Sequence, residues 1–270
     1  MKPLLDVSRL SLSAEGRVLV SEISFSIAQG QRFGLIGESG SGKSLTAMAV
    51  TGLLPKSIDA HGSVRLNAQE VVGTSERVLN TMRGRDVAVV FQEPLTALDP
   101  LMRLGQQIAI PLKRRLTREG EDTGSAALRR GLLELLEHVS LPQPDRILRA
   151  FPHEISGGQR QRVAIALALA CRPRLLIADE PTTALDVTTQ AEILKLLDRL
   201  VGEFDMSLLF ISHDLPVVAS VVSDVAVMQH GQLVEEGTIG DVFGAPSHPY
   251  TRSLVKAAHA FDSYFGEASS

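Results

Sequence analysis

The sequence predicts an α/β fold with a mainly parallel sheet, an antiparallel β section at the N-terminus and a helical insert. Three observations carry this. Short runs that are apolar on both faces recur at Phe33–Ile36, Val87–Phe91, Leu175–Ala178, Leu208–Ile211 and Val225–Met228. Continuous rather than alternating hydrophobicity marks a parallel strand covered on both faces. Helical periodicity lies between these runs: after Asp186, residues Ile193, Leu196, Leu197, Leu200, Val201 and Phe204 share one helix face. Residues 4–30 instead alternate, through Val18, Val20, Ile23, Phe25 and Ile27, as antiparallel strands with one wet face do. Strands alternating with helices assemble into a parallel sheet.

The insert is read from residues 93–165, which are mostly helix formers punctuated by Pro94, Pro100, Pro111, Pro142, Pro144 and Pro152. Within it, Leu116–Ser125 is polar and is expected to form a mobile loop. The basic cluster Lys113, Arg114, Arg115 and Arg118 is expected to be a solvated helix face. No internal repeat or low-complexity tract is visible, and the end of the chain from Ala260 is expected to fray.

Composition narrows the function. The chain has 270 residues, 44% hydrophobic and 21% charged, with a net charge of -4. No basic field favours nucleic acid as a partner. Its single cysteine, Cys171, follows an apolar stretch and is expected to be buried and inert. Met1–Leu10 contains no apolar signal-peptide region, and the longest apolar run, Val163–Cys171, is far short of the ~20 residues a spanning helix needs. A cytoplasmic protein is expected, held at a membrane only by partners.

The motif that carries chemistry is Gly37-Glu38-Ser39-Gly40-Ser41-Gly42-Lys43-Ser44, a G-x-x-x-x-G-K-S phosphate loop between a strand and a helix. Its glycines let successive N–H groups converge on one anion, and the helix N-terminus adds its positive dipole. Lys43 is expected on the β- and γ-phosphates and Ser44 on Mg²⁺. Asp179 and Glu180 follow the apolar strand Leu175–Ala178. Carboxylates do not sit unpaired in a dry sheet, and the end of a parallel strand is where ligands bind. Asp179 is the candidate Mg²⁺ residue, and Glu180 the candidate to orient or deprotonate water. Gln92 and His213 end two other apolar strands, as candidates for Mg²⁺ or water and for the γ-phosphate. Ser156-Gly157-Gly158-Gln159 precedes another helix. A helix N-cap explains Ser156; the glycines and Gln159 suggest a second phosphate seat, used by a neighbouring molecule.

Together these residues resemble an ATP-binding-cassette (ABC) ATPase, a P-loop NTPase, over residues 4–240. In that resemblance Gln92 is the Q-loop, Ser156–Gln159 the signature, Asp179-Glu180 the Walker B pair, Thr183-Ala184-Leu185-Asp186 the D-loop and His213 the switch histidine. The resemblance implies ATP and Mg²⁺ as ligands, with two cassettes sandwiching two nucleotides. Asp186 is then expected among the nucleotide-site residues. It implies an ABC domain at 1–245 with its helical subdomain near 93–165, and a tail at 246–270.

The segments Phe91–Pro100 and His248–Leu254 are similar to peptide and nickel importers. They imply an energy-coupling ATPase that imports peptides or nickel and metal chelates from the cytoplasmic face of the membrane. Its partners would be two transmembrane permease subunits, a second, different ABC ATPase subunit and, indirectly, an extracytoplasmic substrate-binding protein. An exporter ATPase and a soluble non-transport ABC ATPase are the alternatives. The family's adenine-stacking aromatic has no counterpart in Ser11-Leu12-Ser13-Ala14, where an aliphatic contact is expected instead. With Cys171 alone, no iron–sulfur cluster is expected.

Overall fold

A computed structural model describes residues 2–183 and 185–266, with side chains described to residue 258. Ala184 of the expected D-loop and the tail residues 267–270 lie outside the described residues. In chain order the elements are β1 (Leu5–Ala14), β2 (Arg17–Ile27), β3 (Arg32–Ile36), α1 (Lys43–Thr51), β4 (Asp59–Leu66), β5 (Gln69–Glu70), α2 (Glu76–Met82), β6 (Val87–Val90), α3 (Leu104–Glu119) and α4 (Ser125–His138). There follow α5 (Pro144–Arg149), α6 (Gly157–Leu169), β7 (Leu175–Asp179), α7 (Val187–Glu203), β8 (Ser207–Ser212), α8 (Leu215–Ala219), β9 (Asp224–Gln229), β10 (Gln232–Thr238), α9 (Ile239–Gly244) and α10 (Pro249–Gly266). Two compact units emerge, one from residues 1–79 with 207–270 and one from 80–206.

The first unit holds an antiparallel sheet in the order β2-β1-β4-β5. Leu5 lies opposite Ile27, Leu12 opposite Val20, and Val7 opposite Val64. The alternation seen in the sequence becomes burial: Val20, Ile23, Phe25 and Ile27 are in the core. Val18, expected with them, is 68% exposed. It pairs beyond register shifts at Leu10–Ser13 in β1, and each shift by one residue turns a side chain to the other face.

The same unit carries the strands β10-β9-β3-β8. β3 runs parallel to both neighbours, with Phe33 opposite Leu209 and Asp224, while β10 returns antiparallel to β9. Leu208–Ile211 and Val225–Met228 are fully buried, as strands covered on both faces must be.

Beyond β10 the chain is fastened back onto it. The Glu235 carboxylate accepts the Ser247 N–H at 2.7 Å, the Ser247 hydroxyl at 2.8 Å and the His248 N–H at 3.0 Å. Burial alone would raise this carboxyl. The Thr251 hydroxyl and the Ser247 and His248 groups facing it outweigh burial and hold it at about 2, against 4.5 unperturbed. A depressed folded-state value contributes stability above the unfolded value, and that contribution is lost as pH falls through the folded one. Melting temperature should therefore drop more steeply between about pH 5 and pH 2 in the wild type than in Glu235→Gln. Thermal melts across that range check this, and parallel curves would discount the ionised anchor.

In the second unit β6 and β7 are parallel, with Val87 opposite Leu175 and Val90 opposite Ala178. The remainder is largely helical, as the stretch of helix formers leads one to expect. Leu104, Ile108, Leu112 and Leu116 form a buried stripe on α3, which packs on α4 and α5.

Two expectations are corrected here. Leu116–Glu119 is not loop: α3 continues through Pro111 to Glu119 and stops at Gly120, whose φ of 72° ends the helix, leaving only a short turn before α4. The leucine stripe outweighs the polar composition of that last turn. The basic cluster is not simply solvated either. Arg115 is buried, Arg114 donates to the Asn80 carbonyl, and Arg118 donates to the Cys171 carbonyl at 3.0 Å. Cys171 is buried, and burial pushes its thiol up. Among the described residues no helix is long and apolar enough to cross a membrane.

Candidate functional site

In the first unit β3 ends at Ile36, and the glycine loop turns directly into α1 at Lys43. Gly37 has φ 152°, and a Cβ there would stand 2.2 Å from the Met228 carbonyl oxygen and 2.8 Å from Ser41 Oγ. No other residue fits. The loop closes on itself: Ser41 N–H donates to Glu38 O at 3.2 Å, and Lys43 Nζ donates to Gly37 O at 2.7 Å and Glu38 O at 2.8 Å. Lys43 is 4% exposed, so its ammonium is kept in place by these carbonyls.

The loop also has the features of an anion seat. Gly42, at the helix N-cap, offers no side-chain cap, and the first turn of α1 carries no acid. Ser41 Oγ is buried without a hydrogen-bond partner among the described residues. A polyphosphate would satisfy such a hydroxyl and complement the helix dipole, so these residues fit the nucleotide expected from the sequence.

His213 follows β8 and is exposed. Ile36 and Ser212 are register partners on parallel strands, so the phosphate loop and His213 leave the sheet at the same carboxyl edge. The Glu38 N–H donates to Tyr250 Oη at 3.0 Å, across 212 residues of sequence. Motif spacing contains no sign of that contact. Leu12 of the segment expected near adenine is fully buried in β1, so it has no surface to offer a base, while Ser13 and Ala14 are half-buried.

The second unit gathers the acidic residues. β6 and β7 are parallel neighbours, so Gln92 and the Asp179-Glu180 pair also leave one carboxyl edge together. Asp179 is buried at the end of β7. Glu180 has φ 47°, in the left-handed region. A non-glycine residue there is strained, which is common at functional sites. Both Gln92 Nε2, at 3.2 Å, and Thr183 Oγ1, at 3.0 Å, donate to Glu180 Oε2. The donor set proposed for Mg²⁺, a serine hydroxyl, a glutamine amide and an aspartate, is all oxygen and suits a hard cation.

The second glycine motif starts α6, and its side chains have local work. Ser156 Oγ accepts the Gln159 N–H at 3.3 Å, and Gln159 Oε1 accepts the Ser156 N–H at 3.1 Å. This capping box accounts for Gln159 as well as for Ser156, correcting the expectation that a cap explains Ser156 alone. Gly158 lies under α7, where a Cβ would be 2.8 Å from Thr189 Cγ2. Among the described residues Gly157 meets nothing nearer than Leu185 Cδ2 at 3.9 Å, so their packing does not explain it. Asp186 caps α7, accepting the Thr189 N–H at 3.0 Å and the Thr189 hydroxyl at 2.7 Å. Those two bonds, the backbone one first, lower its carboxyl below the usual range.

Comparison with known proteins identifies the family. Residues 20–183 match the profile of the "ABC transporter" family. The oligopeptide transport ATP-binding protein OppD of Bacillus subtilis is 42% identical over 266 residues, spanning 96% of this chain and 73% of that protein. OppD of Salmonella typhimurium is 44% identical over 244 residues, 90% of this chain and 71% of that protein. The peptidoglycan transport ATP-binding protein YejF of Agrobacterium fabrum is 46% identical over 262 residues, but the chain spans only 47% of that protein's length. Among solved structures, the dimeric post-hydrolysis state of the ATP-binding cassette MJ0796, bound to ADP and Pi, superposes with a TM-score of 0.76 at 26% identity. That match covers 87% of this chain and 98% of the cassette.

Proposed function

The chain belongs to the ABC transporter family, and we propose that within it the protein is the ATP-hydrolysing, energy-coupling subunit of a binding-protein-dependent importer of peptides. The observation that carries the nucleotide part is the phosphate loop, with its buried lysine, its uncapped helix start and its unpartnered Ser41 hydroxyl. The peptide cargo is supported by the similarity to OppD proteins over most of the chain and by the segments Phe91–Pro100 and His248–Leu254. Nickel or metal chelates, expected alongside peptides from the sequence, have only those segments behind them.

In this reading loop N–H groups other than those of Glu38 and Ser41, which donate to Tyr250 Oη and Glu38 O, join the Lys43 ammonium in holding the phosphates of ATP. Ser44 in the first unit, and Asp179 and Gln92 in the second, are the residues that would hold Mg²⁺, whose charge would offset that developing on the transferred phosphoryl oxygens. Glu180 takes the proton of the attacking water, and Gln92 and Thr183, which donate to its Oε2, set the direction of the carboxylate. His213 contacts the γ-phosphate. The cap formed by Ser156 and Gln159 holds the N-terminus of α6 open at Gly157 for a nucleotide bound by a second cassette, with Asp186 beside it in the D-loop. The dimeric, ADP-bound and Pi-bound state of the similar MJ0796 cassette supports this pairing.

Residues 1–245 would form the ABC domain, with the helical subdomain near 93–165 bearing on two permease subunits and 246–270 forming a tail. A second, different ATPase subunit and an extracytoplasmic binding protein complete the complex, with this chain peripheral on the cytoplasmic face. The expected result is that the tagged chain copurifies with two permeases. Vesicles carrying the complex should take up short peptides only with ATP on the cytoplasmic side and binding protein on the other. Outward transport, or copurification with ribosomes or DNA and no permease, would refute the reading.

A further inference from the structure

The segment after β10 reaches back to the phosphate loop. Tyr250 is the second residue of α10 and is 9% exposed. Its Oη accepts the Glu38 N–H at 3.0 Å. That N–H belongs to the peptide joining Gly37 and Glu38, whose carbonyl oxygen accepts Lys43 Nζ at 2.7 Å. In a trans peptide the N–H and C=O point opposite ways. The phenol and the ammonium therefore hold one peptide plane from its two sides. An ammonium on the oxygen also polarises the N–H and strengthens its bond to the phenol.

This plane is one that needs holding. Gly37 takes a φ of 152° against the Met228 carbonyl, and the next carbonyl, Glu38 O, receives both Lys43 Nζ and the Ser41 N–H. The direction of the whole loop follows from it. Tyr250 is itself anchored. Its N–H donates to His248 Nδ1 at 3.2 Å, and the His248 and Ser247 N–H groups are fastened to the Glu235 carboxylate. Burial pushes the phenol above its usual range, which keeps the hydroxyl neutral. A chain of contacts thus runs from β10 through the start of α10 to the loop that Lys43 closes.

We propose that Tyr250 is a positioning residue for nucleotide binding: its hydroxyl fixes the Gly37–Glu38 peptide, so the segment after β10 sets the affinity of the phosphate loop. The inference rests on the nucleotide reading given above. A loop held in its binding shape loses less freedom when ligand arrives, so removing the hydroxyl alone should weaken binding. Phe keeps the ring and its packing and deletes only the acceptor.

The test is MgATP and MgADP affinity of the full chain by calorimetry, for the wild type, Tyr250→Phe and Tyr250→Ala, with ATPase kinetics in the assembled complex. Tyr250→Phe is expected to weaken both nucleotides about two- to tenfold, the scale of one hydrogen bond. It should raise KM by a similar factor, with kcat within about twofold and the melting temperature lowered by no more than a few degrees. Glu235→Gln, which leaves the phenol in place but loosens its anchor, should shift affinity the same way by less, and it serves if the Tyr250 variants fold poorly. Wild-type affinity in Tyr250→Phe with loss only in Tyr250→Ala would reduce the residue to packing and overturn the proposal, as would wild-type affinity in Glu235→Gln where the Tyr250 variants do not fold. A wild-type chain that binds neither nucleotide would instead overturn the nucleotide reading, and this inference with it.

Discussion

The Glu180→Gln variant is expected to bind ATP as the wild type does while its turnover falls at least about a hundredfold, the loss associated with removing a positioned base. The substitution is nearly isosteric. The new amide oxygen can accept from Gln92 Nε2 and Thr183 Oγ1 as Glu180 Oε2 does now, so the local arrangement survives. The backbone strain is also unchanged, because Gln and Glu meet the same penalty at φ 47°. What is lost is the ability to take a proton. If two cassettes close over ATP, slow turnover should leave them closed, and ATP should then shift the variant to a dimer by size exclusion. Phosphate release and nucleotide binding measured on one preparation decide the matter. Normal turnover would remove Glu180 as the base, and loss of binding together with turnover would make it a ligand-holding group.

How much of this was legible in the sequence depends on the range over which each signal acts. β3, β7, β8 and β9 were visible as apolar runs because a strand buried on both faces has no polar positions to spare. The phosphate loop was visible because its constraint is written in residue type: Gly37 and Gly42 adopt φ values of 152° and 104°, packed against Ser41 and against Met228 of β9 at the first and Val20 of β2 at the second. The end of α3 was not legible. Leu116 sits among charged residues, and only the stripe it shares with Leu104, Ile108 and Leu112 shows that helix continues there. The pairing of Gln159 with Ser156 is a capping box, legible from their spacing, and it competes with the ligand role that the glycines suggest. Gly158 could not be separated from Gly157 by sequence, because the difference is Thr189 of α7 lying against one and not the other. Tyr250 was beyond reach for a related reason. Its partner is a backbone N–H in a distant segment, and a backbone contact leaves no pattern in residue type.

Lys43→Ala is expected to act on binding rather than on chemistry. A charged hydrogen-bond donor contributes about 1.5–3 kcal/mol, so loss of the ammonium should weaken ATP by roughly ten- to a hundredfold. The geometry adds a second cost. Nζ holds Gly37 O and Glu38 O at 2.7 and 2.8 Å, and without it those carbonyls no longer fix the loop from inside. Two variants separate the contributions. Lys43→Met keeps most of the buried stem and deletes the charge, while Lys43→Ala also opens a gap at a residue that is 4% exposed. If charge dominates, both should lose ATP affinity alike, and only the alanine variant should lose melting temperature. The discrimination between ATP and adenosine should collapse in both, because the ammonium acts on phosphate and not on the base. Retained ATP affinity in Lys43→Met would mean that the loop binds phosphate through its N–H groups alone and that the lysine is a structural clasp.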